Sequence, residues 1–278
     1  MIRAAAVLAV LCSCVMPDQE ALPNMVTVAL CQMEVGPDAE ANLKAIERSI
    51  AEAGDSGAQL VVFPEACVFG WVNSAAHDAA ATIPGPIFDR IAAAARRAEV
   101  HVAIGMAERD GPALHNVAVL IDDRGQLLAK HRKLNILSEL MDPPYAPGDG
   151  EPVVVETRFG RVGLLICADT FQEETVARVA AEQPDLMIVP YGWAAPAEQW
   201  PQHGKSLHAW IQNTARVCQA PTIGVDSTGQ LHDGPWKGFV VGGQSMACDA
   251  SGAALIQLAD RSPEMKLVDI PLRPRIQS

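Results

Sequence analysis

The sequence predicts an α/β layered sandwich, in which two β-sheets face each other and helices cover both outer sides. Roughly ten apolar or β-branched runs alternate with only about five helical patterns, which is too many strands for one parallel sheet. Hairpin signals also occur beside β-α-β units, so the sheets should be mixed. The chain has 278 residues and no internal repeat, which is enough to bury one large core.

In the first half of the chain, a helix is predicted over Asp38–Ala53, because Leu43 and Ile50 lie on one face at helical spacing. A second helix is predicted over Pro86–Ala98, since proline is tolerated at the first helical position. The turn-forming run at 122–125 predicts a hairpin. The strands predicted here are Val26–Gln32, Gln59–Phe63, Val100–Met106, Asn116–Ile121 and Gln126–Lys130.

In the second half, helices are predicted over Glu173–Glu182 and Ser206–Cys218, where apolar residues again recur at helical spacing. Short β-branched runs between turn signals predict the remaining strands. These strands are Pro152–Thr157, Val162–Cys167, Leu186–Pro190, Thr222–Asp226, Phe239–Cys248, Ala254–Leu258 and Met265–Ile270.

Composition excludes several classes of protein. Hydrophobic residues make up 49% of the chain and charged residues 19%, which is incompatible with wholesale disorder. A net charge of −12 argues against a nucleic-acid partner or an anionic membrane surface, since both require a cationic footprint. The seven cysteines form no C-x-x-C pair, so neither a zinc ribbon nor a redox pair is indicated. Scattered cysteines on apolar strands favour a reducing, cytoplasmic compartment.

The segment 1–24 differs from the rest of the chain. Its apolar run is too short to span a bilayer, which takes about 20 residues. The run is consistent with an exported or lipid-anchored protein processed at Cys14, and a membrane partner is expected only in that case. The alternative is that translation starts at Met25 rather than Met1. In both cases we expect one domain over residues 25–278.

Three side chains that can carry chemistry each lie at or near the end of a predicted strand. Glu65 follows a buried apolar run, and Lys133 belongs to a basic cluster in an acidic protein. Cys167 ends an apolar strand just before a helix, at the edge of a sheet where α/β enzymes keep their chemistry. Singly, Glu65 and Lys133 also fit solvent-exposed charges, and a cysteine also fits an ordinary buried thiol.

Taken together and in this chain order, the three motifs resemble those of the nitrilase superfamily of carbon–nitrogen hydrolases. The resemblance covers about residues 25–272 and implies a four-layer αββα sandwich. The segments that carry it are Val61-Val62-Phe63-Pro64-Glu65, His131-Arg132-Lys133-Leu134, Gly163-Leu164-Leu165-Ile166-Cys167-Ala168-Asp169, Ala146-Pro147-Gly148-Asp149, Asp185-Leu186-Met187-Ile188-Val189-Pro190 and Gly242-Gly243-Gln244-Ser245-Met246.

The resemblance also implies roles for the matching residues. Glu65 would be the general base, Lys133 would stabilise the tetrahedral intermediate, and Cys167 would attack the substrate carbon to form a thioester. The backbone N–H of Ala168 would help Lys133 to hold the oxyanion. Glu139 is the best match for a second glutamate that orients the site, although it also fits an exposed loop residue.

The sequence departs from the subgroups of this family that are defined by substrate. The arginine that often accompanies carboxylate or carbamoyl substrates is missing after Cys167, and so is the Cys-Trp-Glu run of nitrile-hydrolysing members. We therefore expect hydrolysis of a small carboxamide through an acyl-enzyme. Nitrile hydrolysis, N-acyl transfer by the same triad and a catalytically silent binding protein remain the alternatives.

The substrate pocket is expected near the end of the strand Leu186–Pro190, where Tyr191 or Trp193 could form an apolar wall or instead pack against the long helix. No nucleotide-binding motif is present, and His203 and His208 lack the H-E-x-x-H spacing of a zinc site, so neither a cofactor nor a metal is expected. The family resemblance further implies a homodimer or larger homo-oligomer.

Overall fold

The computed structural model describes residues 25–151 and 153–273, and these form four layers in the order helix, sheet, sheet, helix. The α/β fold class predicted from the sequence is confirmed. The interpretations of residues 1–24, including Cys14, lie outside the described residues. Within the described part of the chain, the helices are too short or too polar to cross a membrane.

Two six-stranded mixed sheets and one small three-stranded sheet contain the strands of the described residues. The strands are β1 Met25–Gln32, β2 Leu60–Val62, β3 His101–Asp110, β4 Ala113–Ile121, β5 Leu127–Arg132, β6 Val153–Thr157, β7 Gly160–Leu164, β8 Leu186–Pro190, β9 Ala194–Ala195, β10 Thr222–Val225, β11 Thr228–Gln230, β12 Val240–Gly242, β13 Met246–Cys248, β14 Ala254–Gln257 and β15 Glu264–Pro271.

Five α-helices and three single-turn 3₁₀ segments connect these strands. The α-helices are α1 Ala39–Asp55, α2 Ala76–Ala79, α3 Pro86–Ala98, α4 Glu173–Ala181 and α5 Gly204–Cys218, and the 3₁₀ segments are Ser138–Leu140, Cys167–Phe171 and Ala197–Gln199.

The first sheet has the order β15-β1-β2-β3-β4-β5, and the second has the order β14-β13-β10-β8-β7-β6. In each sheet the central strands are parallel and the outer strands pair antiparallel. Within the first sheet the parallel strands β1, β2 and β3 end at one edge, and within the second sheet β7, β8 and β10 do. The Glu65 N–H, after β2, donates to the Tyr191 carbonyl, after β8, at 3.1 Å, so the segments that follow the two sets of strands meet.

Alternation along each strand divides the core into three apolar layers, because successive side chains point to opposite faces. In β1, Val28 and Leu30 pack between the two sheets, whereas Ala29 and Cys31 pack against α1 and α3. A third layer joins the second sheet to α4 and α5. Both faces of the central strands are thus buried, which explains why these strands read as nearly continuous apolar runs.

Most predicted elements occur with shifts of one or two residues at their ends, but two differ in kind. The predicted strand Phe239–Cys248 is two strands, β12 and β13, which belong to different sheets and are separated at Gln244 in a left-handed conformation. The strand predicted to reach Cys167 ends at Leu164, and Cys167 opens a 3₁₀ turn.

Candidate active site

The site lies where the segments after β2, β5 and β7 converge, and it brings together Glu65, Lys133 and Cys167. All three are nearly inaccessible to solvent. Lys133 Nζ donates a hydrogen bond to Glu65 Oε1 at 2.6 Å. The Cys167 thiol and the second carboxylate oxygen of Glu65 both lie against Gly192, the thiol sulfur 3.9 Å from its carbonyl oxygen.

Glu65 owes its position to a close approach between its backbone and β3. The Gly105 N–H donates to the Pro64 carbonyl at 3.0 Å, and the Cys67 N–H donates to the Gly105 carbonyl at 3.1 Å. A Cβ atom at Gly105 would lie 2.5 Å from the Glu65 Cα. Only glycine therefore allows the carboxylate segment to lie directly on the strand.

Asn116 on β4 holds the Glu65–Lys133 pair from the other side. Its side-chain NH₂ group donates to Glu65 Oε1 at 2.6 Å, and its backbone carbonyl accepts the backbone N–H of Lys133 at 2.8 Å. Glu65 Oε1 thus accepts two hydrogen bonds, whereas Oε2 has no hydrogen-bond partner among the described residues. Oε2 is the oxygen available to take a proton from a reacting group.

Cys167 follows β7 in a strained backbone conformation. Its φ is +41°, a region that residues with a Cβ rarely adopt and that is concentrated at functional sites. The Thr170 hydroxyl donates to the Cys167 carbonyl at 2.7 Å, which stabilises the turn. Ala168 follows in the first turn of this 3₁₀ segment, where N–H groups lack an intrahelical acceptor.

Asp169 fastens the lysine segment to the cysteine segment. Its Oδ1 accepts the backbone N–H groups of Leu134 and Asn135 at 2.9 and 2.8 Å. Its Oδ2 accepts the N–H of Ile166 at 3.0 Å and is hydrogen-bonded to His131 Nε2 at 2.9 Å. One fully buried carboxylate therefore fixes the backbone on both sides of the site.

Burial, and then the charge of Glu65, raise the pKa of the Cys167 thiol well above its usual range, although Lys133 opposes them. Burial alone would lower the pKa of Lys133, but Glu65 and Cys167 raise it overall, so the ammonium stays charged. The resting thiol is therefore protonated at neutral pH and needs a base. Burial also raises the pKa of Cys31 and Cys218 to about 12, so the charged neighbours, not burial, distinguish Cys167.

An apolar cavity of about 150 Å³ opens directly onto Cys167. Trp193, one of the two predicted wall residues, lines it. The other aromatic side chains of its wall are Trp71, Phe171, His203 and Trp236.

The prediction for Tyr191 as a cavity wall is corrected by the structure. Tyr191 is fully buried beneath the cysteine turn, where its hydroxyl is 3.2 Å from the Thr170 hydroxyl. It belongs to the apolar layer that includes Ile211 of α5. Strand alternation would place residues two positions apart on the same face. Tyr191 and Trp193 instead lie in different surroundings, because β8 ends at Pro190 and the chain between β8 and β9 is irregular.

Glu139 does not join Glu65 and Lys133. It is exposed on the 3₁₀ turn Ser138–Leu140 and lines a separate open cavity of about 420 Å³. The buried side chains of the same loop that share a small cavity with Lys133 are Leu140, Met141 and Tyr145. In this structure Asn116, and not Glu139, contacts the Glu65 carboxylate.

Four residues of the site are not predicted from the sequence, namely Asn116, Gly105, Phe171 and His203. Asn116 carries a local signal, because it is an amide within an otherwise apolar strand, and buried polar groups need partners. Gly105 also interrupts an apolar strand, which indicates close backbone approach. Phe171 and His203 carry no comparable signal, since their place in the cavity depends on tertiary contacts.

The fold and the buried Glu–Lys–Cys cluster together define a class of αββα proteins with a thiol at the edge of the second sheet. The chain belongs to the carbon–nitrogen hydrolase family, which it matches over residues 27–276. Among its relatives, a formamidase of Bacillus cereus is 29% identical over 256 residues, covering 88% of this chain and 72% of the relative.

A bifunctional nitrilase/nitrile hydratase of Nicotiana tabacum is 33% identical over 172 residues, covering 55% of this chain and 49% of the relative. The match thus spans about half the length of such relatives. Among solved structures, an amidase of Nesterenkonia sp. AN1 from the nitrilase superfamily superposes with a TM-score of 0.77 at 24% identity, covering 91% and 94% of the two chains. A mutant of that amidase carries the acetamide moiety of fluoroacetamide covalently added at its active-site cysteine, with 25% identity to this chain, coverage of 88% and 90%, and a TM-score of 0.76.

Proposed function

We propose that this protein is an amidohydrolase that cleaves a small carboxamide through a thioester on Cys167. The observation that carries the proposal is the buried Glu65–Lys133 pair at 2.6 Å beside a thiol that faces an open cavity. A charged pair this deeply buried is costly to maintain, and such arrangements concentrate at functional sites. The formamidase and amidase relatives support this reaction class.

In the first half of the reaction, Glu65 Oε2 takes the thiol proton as the Cys167 sulfur attacks the amide carbon. The negative charge that develops on the amide oxygen lies near the Lys133 ammonium and the Ala168 N–H, which stabilise it. The C–N bond then breaks, and Glu65 returns its proton to the departing ammonia or amine. The product of this half is a thioester between the acyl group and Cys167.

In the second half, Glu65 takes a proton from water as the water oxygen attacks the thioester carbon. The C–S bond breaks, the carboxylic acid leaves, and the proton on Glu65 returns to the sulfur. Glu65 is therefore base and acid in turn, and Lys133 supports both tetrahedral intermediates. No step requires a group beyond substrate and water.

The same triad could hydrolyse a nitrile or pass the acyl group to an amine. The tobacco relatives are nitrilase/nitrile hydratases, which is the specific finding that favours the nitrile reaction as the second candidate. A nitrile would form a thioimidate on the same sulfur, so the two reactions differ in their adducts and in the first product.

Intact-mass spectrometry of the protein with formamide, acetamide, propionamide, phenylacetamide and their nitrile counterparts tests the proposal. We expect an acyl adduct mapped to Cys167 and release of ammonia with amides, and no adduct with Cys167→Ala. Cys218→Ala is the matched control, because Cys218 is also buried but lies outside the cavity. If Cys167→Ala released ammonia as fast as the wild type, or if no amide gave ammonia, the amidase proposal would be wrong.

A further inference from the structure

Aromatic rings contribute five of the nine residues that line the cavity above Cys167. Trp71 packs edge-on against Trp236 with ring centroids 5.9 Å apart, and Phe171 packs edge-on against Trp193 at 5.7 Å. His203 stacks on Trp193 at 5.2 Å. Aromatic rings favour such edge-to-face and offset contacts with one another and with an added ring.

Hydrogen bonds hold Trp193 in the cavity. Its indole N–H donates to the His203 carbonyl at 3.2 Å, and its backbone N–H donates to Asp226 Oδ1 at 2.9 Å. The other oxygen of the Asp226 carboxyl accepts the Gly243 N–H at 3.2 Å. Because its backbone and its ring are both fixed, Trp193 is in place before any ligand binds, which reduces the entropy lost on binding.

The cavity offers nothing to balance a charge on the acyl group. Among the described residues, none with a formal charge lines it, and burial lowers the pKa of His203, which favours the neutral imidazole. The Lys133 ammonium is already paired with Glu65. A carboxylate placed here would lose its hydration without gaining a partner.

The size of the cavity matches one six-membered ring. Its volume is about 150 Å³, and an apolar protein cavity of roughly that volume is able to bind benzene. Formyl or acetyl groups would leave most of this space unfilled. We propose that the cavity is the acyl-group pocket and that the substrates are neutral amides whose acyl group carries a phenyl-sized apolar ring, such as benzamide or phenylacetamide.

This inference rests on the proposed amidase function, because it places the acyl carbon at Cys167. Its test nevertheless has a binding arm that needs no turnover. Titration calorimetry with the Cys167→Ala protein would compare phenylacetamide with propionamide, with the amide of trimethylglycine and with succinamate. We expect phenylacetamide to bind about tenfold more tightly than propionamide, and succinamate not to bind measurably.

Substitutions in the cavity wall test which side chains give the preference for phenylacetamide. Trp193→Leu and Trp236→Leu in the Cys167→Ala protein should each weaken phenylacetamide binding several-fold and leave propionamide binding nearly unchanged. Trp210→Leu is the matched control, because Trp210 touches Phe171 at 4.8 Å but does not line the cavity. Circular dichroism and melting temperature would verify that each variant is folded.

The kinetic arm uses the wild type and the same amides. A higher kcat/KM for phenylacetamide than for propionamide supports the inference. Equal affinities for the two amides, or tightest binding by the trimethylglycine amide, would overturn it, the latter because it would indicate an aromatic cage for a cation. If phenylacetamide binds as expected but no amide is hydrolysed, the pocket stands and the amidase proposal fails. If small aliphatic amides are hydrolysed and a phenyl ring brings no preference, the amidase proposal stands and the inference about the pocket fails.

Discussion

The charges around Cys167 determine when its thiol ionises. Burial raises its pKa most, Glu65 raises it further, and Lys133 lowers it. Replacing Glu65 by glutamine removes the negative charge that raises this pKa most and leaves the Lys133 ammonium free to pair with a thiolate. Ionisation and turnover should therefore respond in opposite directions to this single change.

We expect Glu65→Gln to lower the pKa of Cys167, so that the thiolate forms at lower pH than in the wild type. Turnover should nevertheless fall by about 10²-fold or more, because no base remains for water. The thiolate absorbance near 240 nm, measured as a difference from Cys167→Ala, gives the pKa, and ammonia release gives the rate. A raised thiol pKa, or turnover equal to the wild type, would contradict these roles.

At the residue scale, Glu65, Lys133 and Cys167 could be proposed from sequence because each stands beside an apolar run and the three occur in a recognisable order. Asn116 and Gly105 could not be assigned in the same way. Their importance arises from contacts between β3, β4 and the Glu65 segment, and such long-range neighbours are not encoded in local periodicity. For Glu139 the sequence allowed either a residue that orients the site or an exposed loop residue, and the structure places its side chain at the exposed surface.

Among the elements, the segment after β5 and the turn after β7 are connected chiefly through Asp169, with one further hydrogen bond from the Asn135 side-chain amide to the Ala168 carbonyl at 2.7 Å. Asp169 accepts four hydrogen bonds, two on each oxygen. An asparagine at this position could not replace both carboxylate oxygens, because its amide nitrogen is a donor and would face a backbone N–H, which is also a donor. The geometry of Lys133 should therefore be sensitive to this position.

We expect Asp169→Asn to reduce the free energy of unfolding by about 1–3 kcal/mol, since buried donors lose their acceptor. Turnover should fall as well, because the backbone segments that carry Lys133 and Cys167 are no longer fixed relative to each other. Urea denaturation and ammonia release measure the two effects. Asp149→Asn is a suitable control, since Asp149 is exposed in the same region of chain. Wild-type stability and activity of Asp169→Asn would exclude this role.

The contact between β3 and the Glu65 segment gives a second prediction at this scale. Gly105→Ala would place a Cβ 2.5 Å from both the Glu65 Cα and the Pro64 carbonyl oxygen, so the backbone must shift. We expect a loss of about 1–3 kcal/mol in stability together with reduced kcat. Gly36→Ala is the control, because its Cβ would meet only the Asn42 side chain at 3.9 Å. Equal behaviour of the two variants would contradict the argument.

For the molecule as a whole, the layered architecture could be predicted because the central strands are buried on both faces and must lie between two apolar layers. Which strand belongs to which sheet was harder to predict from the sequence. The predicted strand Phe239–Cys248 contains a residue in the left-handed conformation, Gln244, and its two parts join different sheets. The Gly242-Gly243-Gln244-Ser245 stretch in the middle of this run is a signal for a break in the strand. Which sheet each part joins is not marked locally, because it is decided by packing between distant segments.

The oligomeric state stays a prediction. We expect a homodimer or larger assembly, as the family resemblance implies, and the exposed apolar side chains Val217 and Leu255 are compatible with a covered surface. Multi-angle light scattering should give at least twice the chain mass of 29.5 kDa. A concentration-independent monomer would show that the expectation is wrong.

The net charge of the molecule yields a prediction about which reagents reach Cys167. The chain carries a charge of −12. Three acidic residues, Glu139, Asp142 and Asp233, line the open cavity of about 420 Å³ described above. A negative field repels anions over roughly a Debye length, which shortens from about 30 Å at 0.01 M salt to about 10 Å at 0.1 M. Iodoacetate should therefore alkylate Cys167 more slowly than iodoacetamide.

We expect the iodoacetate-to-iodoacetamide rate ratio at Cys167 to lie well below that of a small neutral thiol and to rise with salt, while the iodoacetamide rate stays nearly constant. Glu139→Gln with Asp142→Asn should raise the ratio at low salt. Asp55→Asn with Glu99→Gln is the matched control, since these exposed acids lie where α1 and α3 end, at the edge of the sheet opposite Glu65. Peptide mass spectrometry resolves alkylation of Cys167 from that of the other thiols. A ratio equal to that of the free thiol and independent of salt would mean that burial alone, and not the field of the molecule, controls access to the site.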